Sequence, residues 1–378
     1  MQGLKEITIS FTIGITGLTA WMYARHEARR EGERRQETSV PTNISGRSED
    51  PALDLNWGLK AIGLSMGQRT DRLERQVIVA VIDTGCDASH PDLRGNLWTN
   101  PGESGLDENG NSKATNGVDD DGNGLADDIH GWNFVDSSPD LMDEHGHGTH
   151  IAGIVAGRRG VAPGVSLMIL KYYDPKNTGV DNLKFTVAAI RYAVRNGAQI
   201  INYSGGGVMK SAEEEAALGF AAQKGVLVVA AAGNDGMNSD FMHFYPAGYD
   251  LPNILSVGAT DRADRPLPIS NYGIQTVDVA APGKNIYSTL PNGQHGYMTG
   301  TSQATAFVTG VAALALANRP EFTRDPAALI MELMLNSSSR SVLRDKNQSG
   351  SLVSANWALT GQTRVAASLP AKRAPAQN

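Results

Sequence analysis

The sequence predicts an α/β fold, a doubly wound, mainly parallel β-sheet flanked by helices. Three observations predict it. Short apolar runs recur along the chain, helical patterns lie between them, and 42 glycines supply the tight turns that such alternation needs. The runs fall at 77–82, 165–170, 199–202, 226–231, 254–257 and 277–280. Their apolar residues are consecutive rather than alternate, as in strands covered on both faces. Helical stretches fall at 148–156, 181–196, 211–224 and 303–318. Asp181 suits the N-cap of the second of these, and Gly197 suits its stop. Sheets of this kind carry their sites beyond the carboxyl ends of the strands.

Composition narrows the function. The chain of 378 residues is 40% apolar and 19% charged, which are globular proportions. A net charge of −7 argues against nucleic acid as a partner, because phosphate binding needs a basic face. Much of the acid lies within residues 103–144, so a local cause is expected there. A single cysteine, Cys86, excludes an intrachain disulfide and suits a small buried residue better than a nucleophile. Residues 7–23 are uncharged and approach the shortest run that spans a bilayer, so residues 1–24 are expected to be a signal anchor or targeting segment and a membrane tether. Arg25, Arg29, Arg30, Arg34 and Arg35 follow it, and the positive-inside rule would hold the remainder in the cytoplasm. The acidic stretch argues instead for an exported domain, periplasmic or extracellular. Residues 25–52 read as a linker, 53–362 as the globular domain and 363–378 as a tail. No pattern points to an oligomeric state.

Three segments carry chemistry. In VAVIDTG a buried strand ends on Asp83, where a carboxylate can be held dry and fixed to orient an imidazole. The same Asp-Thr-Gly is also ordinary turn chemistry. In EHGHGTHIAGIVAG, His147 stands between Gly146 and Gly148 at the start of a small-residue helix, which places it best as a general base. His150 reads as a packed residue further along that helix. The run His145, His147 and His150 also leaves a metal site open, although no H-E-x-x-H is present. In MTGTSQATAFV, Ser302 opens an Ala-rich helix, where free N–H groups favour developing negative charge. A serine there could equally be a plain N-cap.

Together the three segments are far more specific. VIDTG, HGTHIAG and GTSQATA resemble the signature segments of the subtilisin-like serine proteases, the subtilase family. The order Asp83, His147, Ser302 is the chain order of subtilisin. NWGLKAIG, GVAPGVSLMILK, INYSGGG and VLVVAAAGN are also similar to subtilase segments, so the resemblance covers roughly residues 53–362. It implies a serine endopeptidase acting on protein or peptide substrates. Ser302 would be the nucleophile, His147 the base, Asp83 its orienter and Asn234 the side-chain donor to the oxyanion. Ser204 and Gly206 would pair with the substrate backbone. Ala231, Ala232 and Gly233 would wall the primary pocket and leave room for a sizeable apolar side chain. Gln303, Thr305, Ala306 and Phe307 depart from the family's usual residues after the nucleophile. Residues 1–52 look too short for the usual folding prodomain.

The acidic stretch contains NGVDDDGNGLADD. Asp119, Asp121 and Asn123 match the first half of a calcium-loop pattern, with Leu125 able to offer its carbonyl and Asp127 at a further ligand position. His130 stands where a bidentate glutamate would close that loop, so it is not a complete EF-hand. Hard oxygen donors in a Gly-rich loop suit Ca²⁺, and similar insertions occur in other subtilases. Another calcium site of the family is in doubt: Asp92 matches one ligand, but the loop after the His147 helix is short. Three other functions stay open: a catalytically weak peptide-binding scaffold on the subtilase fold, a peptide ligase or cyclase, and a metal enzyme built on the histidines.

Overall fold

The computed structural model describes residues 55–69 and 73–362. The expected tether at 7–23, the linker and the tail at 363–378 lie outside them. Among the described residues no helix is long and apolar enough to cross a membrane.

A nine-stranded sheet organises these residues. In chain order its strands are β1 (Ile78–Asp83), β2 (Gly131–Asn133), β3 (Ser166–Lys171), β4 (Ile200–Tyr203), β5 (Leu227–Ala231), β6 (Ile254–Thr260) and β7 (Val279–Pro282). A two-stranded hairpin follows, β8 (Ile286–Leu290) with β9 (Gln294–Met298), and then β10 (Ser338–Ser339) and β11 (Ser351–Leu352) return to the main sheet. The order across it is β10-β11-β7-β6-β5-β4-β1-β3-β2, and every pairing is parallel except β10 with β11. Its helices are α1 (Trp57–Ala61), α2 (His147–Ala156), α3 (Gly179–Arg195), α4 (Ala212–Gln223), α5 (Thr301–Asn318), α6 (Pro326–Leu335) and α7 (Asn356–Thr360).

All six apolar runs form strands, and the side-chain period of two splits them between two cores. Val79, Val81, Leu167, Ile169 and Val229 pack with α2, α5 and α6. Ala80, Ile82, Met168, Leu170, Ile201 and Val228 pack with α3 and α4. Both faces are therefore dry, which is why the runs lack polar alternation. Helix α5 is buried along Thr301–Ala317. Its alanines and Gly310 allow that, since larger side chains would hold it off the sheet.

One cap differs from expectation. The N-cap of α3 is Thr178, whose hydroxyl accepts from the Asp181 N–H at 3.2 Å. The Asp181 carboxylate instead accepts a hydrogen bond from the Thr178 hydroxyl at 2.7 Å, three residues into the turn. Gly197 does follow the helix, with φ of 77°.

Truncating a strand side chain in either core should cost heavily. Ile201→Ala, made in a Ser302→Ala background to prevent self-digestion, should lose about 2–5 kcal/mol. A urea titration checks it, and a midpoint within error of the parent would contradict this account of the core.

Candidate active site

The carboxyl ends of β1, β4 and β5, neighbours in the sheet, open onto one edge. Asp83 is the last residue of β1 and is 4% exposed. Ser204 follows β4 directly, and Asn234 lies just past β5. His147 opens α2, and its Nδ1 lies 2.7 Å from Asp83 Oδ1. A carboxylate accepts only, so Nδ1 carries the proton and Nε2 is the basic nitrogen. Ser302 sits in the first turn of α5, and its hydroxyl donates to the Ser204 carbonyl at 2.9 Å. Asp83, His147, Ser302, Ser204 and Asn234 thus meet at the same sheet edge.

Close backbone approach makes the Asp83–His147 contact possible. A methyl group on Gly148 would lie 2.1 Å from the Gly85 carbonyl oxygen. Gly146, the residue before His147, has φ of 90°. Only glycine fits both demands without strain.

A carboxylate that the sequence did not single out holds this corner. Asp143 is 1% exposed. Its Oδ1 accepts from Thr84 Oγ1 at 2.8 Å, His145 N at 3.1 Å and Gly146 N at 2.8 Å. Its Oδ2 accepts from Thr149 N at 2.8 Å and Thr149 Oγ1 at 2.7 Å. Thr84 Oγ1 in turn accepts from Gly148 N at 2.9 Å. The end of β1 and the first turn of α2 are therefore tied through one side chain.

Asn234 is held by two donors of Thr301. Its Oδ1 accepts from Thr301 N at 2.9 Å and Thr301 Oγ1 at 3.0 Å, which leaves its NH₂ as the group it can offer elsewhere. Asn271, 1% exposed, braces the loop beneath. It donates to the Ala232 carbonyl at 2.9 Å and accepts from Asp235 N and Met237 N at 3.1 and 2.9 Å. Ala231 and Ala232 are buried, and Gly233 has φ of 102°. Ser204, Gly205 and Gly206 leave β4 as the facing segment.

The histidines do not gather around one point. His150 is fully buried, and its Nε2 faces the Ile286 and Gly296 carbonyls at 3.0 and 3.3 Å. Burial first, and His147 second, lower its pKa to about 3, so it stays neutral. Burial, then Asp143, Asp87 and Asp83, raise the Cys86 thiol well above its usual pKa and keep it protonated.

The acidic stretch forms a separate corner. Among the described residues, Glu103, Asp119 and Asp121 place ligand oxygens within 4.8 Å of one another. Glu103 is fully buried, its Oε2 has no hydrogen-bond partner, and its pKa is raised chiefly by burial. Buried Asp128 lies close by, accepting from Asn100, Asn123 and Tyr192, and its pKa is also raised by burial. Asn123 Oδ1 accepts from Leu125 N at 2.8 Å. The Asp127 carboxylate accepts from Gly117 N at 3.0 and 3.2 Å, closing the loop rather than joining the three. Glu103 lies outside the motif, and no sequence signal marked it. Asp92 meets partners from the chain itself, His295 Nε2 at 3.0 Å and the Arg158 guanidinium at 3.6 Å.

Asp143→Ala should leave several buried donors unpaired and cost about 3 kcal/mol or more. Thermal unfolding in the Ser302→Ala background checks this. An unchanged midpoint would show that the Asp143 bonds do not hold the corner.

Comparison with known proteins gives a consistent answer. The model of the subtilase family matches residues 74–355. The chain is 38% identical over 243 residues to the thermophilic serine proteinase of Bacillus sp. (strain AK1), a match covering 62% of this chain and 51% of that protein. It therefore spans about half the length of that relative. It is 38% identical over 248 residues to the major intracellular serine protease of Bacillus subtilis (strain 168), covering 64% and 68%. A solved structure of a cold-adapted subtilisin-like serine proteinase superposes with a TM-score of 0.62 at 26% identity, covering 79% of this chain and 97% of the other. The chain belongs to the subtilase family of subtilisin-like serine endopeptidases.

Proposed function

We propose that the protein hydrolyses internal peptide bonds of protein or peptide substrates through Ser302, His147 and Asp83, by way of an acyl-enzyme. The observation that carries this is the shared sheet edge, where the 2.7 Å Asp83–His147 pair stands beside a serine hydroxyl held by Ser204.

The steps follow from the donors and acceptors. A substrate strand lies along Ser204–Gly206 and adds backbone hydrogen bonds there. The Ser302 proton turns from the Ser204 carbonyl to His147 Nε2 as Oγ attacks the scissile carbonyl. The imidazolium so formed is stabilised by Asp83 across Nδ1–H. The Asn234 NH₂ and the Ser302 N–H receive the oxyanion. His147 then returns the proton to the leaving amine, and water repeats the sequence on the acyl-enzyme. A scaffold without activity would have no use for the hydrogen bonds that tie Asp83, His147 and Asn234 in place.

Calcium is the proposed structural cofactor, held by Glu103, Asp119 and Asp121. A buried carboxylate oxygen without a donor, among other carboxylates, is met either by a proton or by a cation, and hard oxygen donors from three acids favour the cation at neutral pH. When bound, the ion supplies positive charge that lets these acids stay ionised together. The proposed location is outside the cytoplasm, where calcium is abundant, with residues 7–23 as a tether.

Labelling with a fluorophosphonate serine probe tests the chemistry. Wild type should label and Ser302→Ala should not. Asn234→Ala should lose about 10²–10³-fold in kcat, the magnitude known for subtilisin, itself a member of this family. Folded wild type that neither labels nor cleaves casein would sink the proposal.

The calcium reading makes a pH-dependent prediction. The raised pKa values of Glu103 and Asp128 mean that protons compete with the ion as pH falls. Calcium should raise Tm at pH 7.5, and the increment should shrink toward pH 5. A calcium-independent Tm at both pH values would count against the site.

A further inference from the structure

The segments leaving β4 and β5 face each other beside Ser302 and Asn234. The side chain preceding the scissile bond, at the P1 position, must enter between them. Ala231, Ala232 and Gly233 bring no bulk of their own, and from them alone the space would admit a large apolar group. The structure fills that space from elsewhere in the chain.

A methyl group on Gly206 would lie 2.6 Å from Phe244 Cε1 and 3.2 Å from its Cζ. One on Gly233 would lie 2.9 Å from Cδ2 and Cγ of the same ring. The ring therefore touches both walls with opposite edges and spans the gap. Phe244 is only 5% exposed. Its backbone is pinned to the wall: Tyr245 N donates to the Gly207 carbonyl at 2.7 Å, and Gly207 N returns a bond to the Tyr245 carbonyl at 2.8 Å. Gly248 N donates to the Phe244 carbonyl at 2.7 Å, closing a turn behind it. Asn271 Nδ2, which donates to the Ala232 carbonyl at 2.9 Å, also crowds Gly233, 2.4 Å from where its Cβ would stand, and so braces that wall. Swinging the ring aside would place an apolar surface in water and disturb both walls.

We propose that Phe244 is the floor of the primary pocket and restricts the P1 residue to glycine, alanine or serine. This rests on the peptidase function proposed above and specifies its substrates. A P1 side chain of one or two heavy atoms ends above the ring, whereas leucine, phenylalanine or lysine would overlap it.

The test uses the full-length protein and fluorogenic peptides that differ only at P1. Wild type should cleave P1-Ala and P1-Gly peptides with kcat/KM at least about tenfold above P1-Leu, P1-Phe and P1-Lys, the discrimination that a filled pocket provides. Phe244→Gly and Phe244→Ala should raise kcat/KM for P1-Phe at least about tenfold, mainly through KM. Fluorophosphonate labelling of Ser302, which needs no P1 side chain, should remain measurable in these variants and so shows that they have folded. Phe244→Leu, which keeps most of the packing, should fall between the two and serves if the smaller variants do not fold. Wild type that cleaves P1-Phe as fast as P1-Ala overturns the proposal. So does a variant that labels normally with an unchanged P1 profile. Wild type that neither labels nor cleaves overturns the peptidase function itself, a result distinct from these, and removes the basis of the pocket proposal with it.

Discussion

The parallel pairing of β1, β4 and β5 is the constraint on which the rest depends. Because both faces of the sheet are buried, a slip of one residue would turn each strand's side chains into the opposite core. Register is therefore strongly specified, and with it the level at which each strand ends. Asp83, Ser204 and Asn234 all project from that level. Partners separated by 64 residues, Asp83 and His147, and by 98, Ser204 and Ser302, meet there without any local motif joining them.

Buried carboxylates serve this molecule in two ways, and their partners tell them apart. Asp143 is saturated by backbone and hydroxyl donors, so its charge is compensated within the fold and ties strand to helix. Glu103 has one oxygen without any donor and lies near Asp121 and Asp128, which raise its pKa alongside burial. The first needs nothing more. The second is left with negative charge that protein groups do not meet, and the calcium proposal answers that deficit. The partly exposed Asp92 differs from both, since Arg158 brings an opposing charge and His295 a ring nitrogen from the chain itself.

Glycines around the site work in opposite directions. Gly148 removes bulk so that α2 can approach β1 and deliver His147. Gly206 and Gly233 remove bulk from two walls, yet the space they vacate is taken by Phe244. An absent side chain thus marks close approach, and only the neighbour that approaches decides whether a cavity results.

Much of the fold and the chemistry was legible in the chain. Consecutive apolar residues identify strands buried on both faces, and the histidine between Gly146 and Gly148, the Asp-Thr-Gly after a strand and the serine opening a small-residue helix point to nucleophilic chemistry. Each is a pattern within a few residues, set by backbone sterics and local hydrogen bonds. Asp325 and Pro326 are also a start signal for α6, a helix whose apolar pattern does not mark it on its own. The three-residue strand β2 and the partly exposed β9 carry too little apolar pattern to declare themselves. The roles of Asp143, Asn271, Glu103 and Phe244 could be read from no local pattern, because each depends on what stands opposite it in space. The sequence by itself determined the sheet, its edge and the types of reactive group placed there. Tertiary structure alone decided which polar groups brace them and what fills the space between Gly206 and Gly233, because those outcomes depend on packing between segments far apart in the chain.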